Sequence, residues 1–302
     1  MKQSTKKILC LAAVLAFLGL GLCAAALALS GFDIARLSVP STSDRTEHVR
    51  SYDPDGVDRI VTDMSWDSVT LLPSPDGQIH LRCFEGGGFT YSATVDGAEL
   101  HITQKNTETK RLPDWFRINF DWDIGRNLSL SLPKSFDGDL LLELDAGSIV
   151  IADGLELTGA LDAKLDLGSF SAKSLAARSV TVQCGAGNVT GQNWQIAQYA
   201  FLTANLGDVT LSQVSAQDVT LAANAGSVAF HELTAAHIEA SSDLGSIEGS
   251  ILGTESDYSI DSLTNLGTCN LTDRQGETGK TLHLSCGAGS IYVQFLSPPL
   301  AA

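Results

Sequence analysis

Basic residues are scarce in this sequence: 19 Lys and Arg stand against 35 Asp and Glu, giving a formal charge of −16. A protein that grips nucleic acid needs clustered cations to displace the counterions of the phosphates. That class of partner is therefore excluded, and the acidic surface serves solubility. The short signatures of chemistry are missing too. No Ser stands in a G-x-S-x-G elbow, and His80, His101, His231, His237 and His283 lack the spacing of a metal site. The residues after Leu296 carry no sortase-type signal. No catalytic residue, cofactor or metal is expected, and the chain is not read as an enzyme.

Cysteine is present but poorly placed for disulfides. Of six, Cys10 and Cys23 fall in an apolar run, leaving Cys83, Cys184, Cys269 and Cys286. Their places in the repeat described below suit small buried apolar residues, so free thiols are expected.

Residues 8–29 contain no charge and follow Lys2, Lys6 and Lys7. A run of this length spans about 30 Å of hydrocarbon as a helix, and the positive-inside rule places residues 1–7 in the cytoplasm and the rest of the chain outside. The rival is a cleavable signal, for which Ala26-Leu27-Ala28 supplies a small-x-small site. The anchor is preferred because the run exceeds the 7–15 residues usual for a signal core. Cys23 invites a lipoprotein reading, but the preceding Leu22 argues against it.

From about residue 138 to 296 one short pattern recurs around eight glycines: Gly147, Gly168, Gly187, Gly207, Gly226, Gly245, Gly267 and Gly289. Successive spacings of 21, 19, 20, 19, 19, 22 and 22 residues mark stacked supersecondary units. With the glycine as position zero, positions −5, −3, −1, +2 and +4 are mostly apolar or small, as in Leu202, Ala204, Leu206, Val209 and Leu211. Period-two alternation on both sides predicts two short strands per coil with one face inward. The −1 row runs Ala146, Leu167, Ala186, Leu206, Ala225, Leu244, Leu266, Ala288. Its mixture of small and large side chains is expected to interdigitate in the core. Position −2 is Asp, Asn or Gly, which suits a turn with positive φ or a local Asx bond. A cation ladder on the same row is the rival, but the calcium-roll nonapeptide is absent.

Ahead of the repeats, residues 31–56 read as a polar stalk with little structure, and 57–137 as a β cap region. Ile60, Thr62, Met64, Trp66, Val69 and Leu71 follow the repeat phase with Asp67 in the glycine position, a degenerate first coil. Hairpin strands are expected at 79–83, 89–95, 99–103 and 128–132, with a turn at Asp96-Gly97. The densest aromatic cluster is Trp115, Phe116, Phe120 and Trp122. It stands either as a ligand platform or as the core of the cap. Residues 297–302 form a short tail whose Pro298 and Pro299 are expected to shield the edge of the last strand.

The basic start, the single apolar span, Gly31-Phe-Asp-Ile-Ala-Arg-Leu-Ser38, Leu130-Ser-Leu-Pro-Lys134 and the eight x-[Ala/Leu/Thr]-Gly-[Ser/Asp]-[apolar] copies together resemble the putative-adhesin family, domain of unknown function 4097. The resemblance covers nearly the whole chain. Where family members often read Ser-Thr-Gly-Asp, this chain has Asp/Asn-Ala/Leu-Gly-Ser. The resemblance implies an all-β solenoid held at the cell membrane by one pass, and in some relatives a link to envelope-stress signalling. It implies no activity.

Three functions are weighed. The first is a surface interaction module whose repeated walls meet an envelope glycan or protein. The second is an envelope-stress sensor acting through a membrane partner. The third, a polysaccharide-active enzyme, would need two positioned carboxylates. Asp145 and Asp166 share a corner on adjacent coils, but they sit at turn positions with no lysine or arginine beside them.

Overall fold

The computed structural model describes residues 46–86, 89–106 and 127–297, all within a unit formed by Thr46–Thr107 and Arg126–Ala302. Among the described residues there is no α-helix, and the one helical element is a 3-10 turn at Glu255–Asp257. No helix there is long and apolar enough to cross a membrane. The expected cytoplasmic tail and transmembrane helix lie outside the described residues, as do residues 31–45 and 298–302.

The first strands are β1 (Thr46–Tyr52), β2 (Arg59–Trp66), β3 (Ser68–Pro73), β4 (Ile79–Glu85), β5 (Phe89–Asp96), β6 (Glu99–Asn106) and β7 (Asn127–Leu132). The coils follow with β8 (Ser135–Phe136), β9 (Asp139–Ile151), β10 (Leu155–Leu157), β11 (Ala160–Ala172), β12 (Leu175–Ala177), β13 (Ser179–Ala186), β14 (Val189–Ile196), β15 (Tyr199–Leu206) and β16 (Val209–Ser215). They continue through β17 (Asp218–Ala225), β18 (Val228–Leu233), β19 (His237–Leu244), β20 (Ile247–Leu252), β21 (Tyr258–Leu266), β22 (Lys280–Ala288) and β23 (Ile291–Leu296).

Three ladders organise these strands. The first wall runs β6, β2, β9, β11, β13, β15, β17, β19, β22, β21, every pair parallel. The second runs from β3 through the C-terminal halves of β9 and β11 to β14, β16, β18, β20 and β23, again parallel. A short third wall links β8, β10, β12 and the ends of β14 and β16. The corner between the second and third walls puts Asn193, Gln213 and Glu232 at φ of 54°, 56° and 52°. These are ordinary residues in a left-handed conformation, one per coil, so no glycine row announces that corner.

The core lies between the walls. Positions −5, −3, +2 and +4 point inward, as in Leu202, Ala204, Val209 and Leu211, each no more than 1% exposed. Every fully buried Leu, Val or Ile removes enough apolar surface to contribute about 1.5–3 kcal/mol before chain entropy is counted. Trp194 is wholly buried, meets Phe170 edge-on with centroids 6.2 Å apart, and donates its indole N–H to the Ala172 carbonyl at 3.1 Å. Cys83, Cys184 and Cys286 are buried free thiols, while Cys269 is partly exposed.

Two features depart from the sequence expectations. Thr46–Tyr52, expected within the stalk, is β1, paired antiparallel with β4 along seven residues. Charged side chains let it serve as an edge: Glu47 meets Arg82, and Arg50 meets Glu85 at 3.6 Å. The second departure is the coil order. β22 pairs with β19 on one side and β21 on the other, so the last segment of chain fills an interior rung of the first wall and β21 takes the outside. Cys184 and Cys286 are consequently four rungs apart, not five.

Pro298 and Pro299 lie outside the described residues. The edge of β23 is closed by Asn270, whose side chain donates to the Val293 carbonyl at 2.8 Å and accepts from the Val293 N–H at 2.9 Å. Arg274 folds back on the outer edge of β21, exchanging both backbone bonds with Ile260 at 2.9 and 3.0 Å. Asp273 accepts from the Ser262 N–H at 2.9 Å.

Candidate interaction surface

The recurrent glycines form one column. All eight have φ between 142° and 156°, a region closed to side-chain-bearing residues. A Cβ at Gly207 would sit 2.2 Å from the carbonyl oxygen of Gly187, and one at Gly226 would sit 2.0 Å from that of Gly207. Each coil thus rests its corner on the backbone of the coil below, and only hydrogen fits between. At the start of the column the place is held by Asp67, whose carbonyl lies under Gly147. With no glycine there, side chains fix the corner: Asp67 accepts from the Tyr91 hydroxyl and from the Ser68 N–H at 2.7 Å. Gln104 bonds both backbone groups of Trp66 at 2.9 Å. Burial, reinforced by the Asp67 charge, drives the Tyr91 phenol far above its ordinary pKa.

Beside the glycines, position +1 carries a hydrogen-bond ladder. Ser169 accepts from the Asn188 N–H at 3.1 Å, Asn188 from the Asp208 N–H at 2.9 Å, Asp208 from the Ser227 N–H at 2.7 Å, and Ser227 from the Ser246 N–H at 3.2 Å. The outward Ser, Asn and Asp of this row therefore tie coil to coil. On the −2 row the Asn224 amide donates to Asn205 at 3.1 Å, another bond between rungs. No −2 side chain among the described residues bonds its own turn, so the local Asx reading of that row does not describe the corner.

The −1 row is where the structure overturns the sequence reading most clearly. Leu167, Leu206, Leu244 and Leu266 are 53%, 61%, 64% and 72% exposed, and Trp66 at the same position of the first coil is 44% exposed. Strand alternation would have turned them inward. The corner begins one residue earlier than the glycine, so −2 and −1 both face out and the inward phase resumes at +2. Along the first wall the register places Trp66 beside Ala146, then Leu167, Ala186, Leu206, Ala225, Leu244, Ala288 and Leu266. The sequence order breaks the alternation at Leu244 and Leu266. The exchanged order of β22 and β21 restores it, large and small in strict turn.

The aromatic cluster Trp115, Phe116, Phe120 and Trp122 lies outside the described residues. Asp145 and Asp166 occupy neighbouring rungs on the exposed −2 row. No group of three or more His, Cys, Asp or Glu among the described residues is placed to hold a metal ion. A shallow depression of about 380 Å³ near Pro54, Pro133, Phe136 and Thr158 gathers none of the residues singled out by the sequence.

No curated protein matches this sequence significantly. Among solved structures, a putative adhesin from Bacteroides fragilis shares 15% identity over 84% of this chain and 99% of its own, with a TM-score of 0.49. A putative lipid binding protein from Parabacteroides distasonis shares 14% identity over 84% of this chain and 98% of its own, with a TM-score of 0.43. A putative cell adhesion protein from Clostridium sporogenes shares 10% identity over 83% and 100%, with a TM-score of 0.30. The family model described as Toastrack DUF4097 matches residues 57–288. That match spans well over half of the sequence, and the chain belongs to the Toastrack DUF4097 family.

Proposed function

We propose that the chain is a non-catalytic interaction module, displayed outside the cell by a membrane helix at residues 8–29 with residues 1–7 in the cytoplasm. The observation that carries this reading is the repeated corner. Three outward rows at −2, −1 and +1 stand in register over successive coils, an extended array in which each contact can be made many times. A partner of matching periodicity, such as an envelope glycan or protein, would gain through multivalency rather than through one deep pocket. In this reading the Trp115 and Trp122 region adds an aromatic platform of the kind that stacks on sugar rings.

The test is binding of purified residues 31–302 to intact cells and to an array of envelope glycans and peptides, beside a Trp115→Ala, Trp122→Ala variant. Saturable binding that the variant loses supports the module and its aromatic site. Binding to nothing on either surface overturns it.

A further inference from the structure

The apolar stripe on the −1 row has a property that a general binding face does not need: it is complementary to itself. Leu and Ala alternate on every rung from Ala146 to Leu266, so each leucine stands beside a gap the size of the next alanine. At ~4.8 Å per rung the stripe is about 34 Å long, with a knob every ~9.6 Å. We infer that the occupant of this stripe is a second copy of the same chain, docked antiparallel so that the leucines of each copy enter the alanine gaps of the other.

Symmetry and charge select one arrangement. A closed pair related by a two-fold axis along the solenoid would set each rung against itself, leucine on leucine. A two-fold axis across the solenoid reverses the order of rungs and allows leucine to face alanine. Any axis midway between two rungs does so, and the one between Leu206 and Ala225 is the register that overlaps all eight rungs. With the axis between the rungs of Leu206 and Ala225, those two residues face each other, as do Ala186 and Leu244, Leu167 and Ala288, and Ala146 and Leu266. The −2 rows then oppose Asp145 to Asn265, Asp166 to Gly287, Asp243 to Gly185 and Asn205 to Asn224, with no carboxylate against another. The neighbouring register, with the axis between Ala186 and Leu206, brings Asp145 against Asp243. In the +1 rows of the favoured register Asp208 meets Ser227, so acid avoids acid there too.

The contact strip, four residues wide, covers roughly 450 Å² per copy, below the ~800 Å² typical of tight complexes. Association is accordingly weak and concentration-dependent, suited to many copies acting together. It holds irrespective of what else the surface binds.

The test uses the full chain in detergent, with Cys269 changed to Ser and one introduced cysteine per copy. Differently tagged chains carrying Leu206→Cys and Ala225→Cys are mixed under mild oxidation. They are expected to give a disulfide-linked pair at least tenfold above the level formed by Leu206→Cys with Ala186→Cys, which lies two rungs out of register and beyond disulfide reach. Adding Leu244→Asp to the Ala225→Cys chain and Leu167→Asp to the Leu206→Cys chain should abolish the linked pair, while the melting temperature stays within about 2 °C because these side chains are exposed. No linked pair, equal linking in both registers, or linking that survives the aspartates overturns the inference. If the aspartates instead remove binding to phosphatidylcholine vesicles while no linked pair forms, the stripe belongs to a lipid surface and the self-docking is wrong.

Discussion

The cap end and the middle coils hold together by different means. Around β1, β4 and β6 ion pairs join neighbouring strands: Arg82 with Glu47, Arg50 with Glu85, and Arg59 with Glu99 at 3.3 Å and Asp139 at 3.8 Å. Between Ser179 and Thr254 the described residues contain no ion pair at all, and the coils are joined by backbone ladders and the hydrogen-bonded +1 row, where Asp208 is the single charge among Asn188, Ser227 and Ser246. The difference follows from repetition. In an in-register parallel stack each position lies against its own equivalent, so a charged row repels itself and a row of Ser or Asn does not. Acid beside base accordingly occurs outside the middle coils, in the cap and in pairs such as Arg178 with Asp139 and Lys280 with Asp257.

The largest effect should come from the glycine column. Gly207→Ala places a methyl against a carbonyl one rung below at an unfavourable φ and should cost about 4 kcal/mol in denaturant unfolding. Gly97→Ala in the cap hairpin, where φ is 61° and a Cβ meets nothing within 4 Å, should cost only about 1 kcal/mol. Equal costs would break the distinction between a packed corner and a mere turn.

Next is alkaline unfolding, which both regions share. Burial pushes the Cys83 thiol in the cap and the Cys184 thiol in the coils up to about 11 from the ordinary 9.0. A pKa raised on folding gives stability that is fully present below pH 9 and lost as pH climbs through 11. Each thiol should account for a loss on the order of 2 kcal/mol between those values. Melting curves at pH 8 and 10.5 should show Cys184→Ala narrowing that loss, and an unchanged pH response would remove burial as the cause.

Smaller still, Asp208→Ala should cost about 1 kcal/mol by orphaning the Ser227 N–H in the coils. Thr62, fully buried in the first coil with an unpartnered hydroxyl, should respond in the opposite sense. Thr62→Val is expected to raise stability by about 1 kcal/mol, read from the denaturation midpoint. At the bottom of the scale, Glu47→Gln in the cap should shift stability by less than about 0.5 kcal/mol, and 1 M salt should erase even that, since the pair with Arg82 is exposed.

What the sequence made legible were the features that repeat with a chemical reason. A glycine every 19 to 22 residues and apolar residues at −5, −3, +2 and +4 correspond to the column and to the buried rows. The hairpin through Asp96-Gly97 could be read from its turn residues and is present as β5 and β6. The exposed −1 leucines were hidden because hydropathy reports apolar character, not direction, and alternation carried through a corner assigns the wrong face. The third wall escaped because Gln213 and Glu232 take a left-handed corner without a residue that advertises it. The exchanged order of the last coils was invisible to periodicity, since β21 and β22 carry the same phase. One clue was available: the alternation of Ala and Leu fails in sequence only where the coils change places. The aromatic residues at 115–122 stand outside any repeat and outside the described structure, so neither source places them.

That exchange also limits how such an array can change in length. A further repeat appended after residue 297 would begin from an interior rung, with the outer position already taken by β21 and the loop folded over it. Duplication or loss of coils is instead open between β11 and β18, where each unit lies between its predecessor and its successor in sequence. The same arrangement acts as a bolt against unravelling. Pulling the chain from its C-terminus must draw β22 from between two paired neighbours, breaking two ladders at once where an ordinary terminal strand would break one.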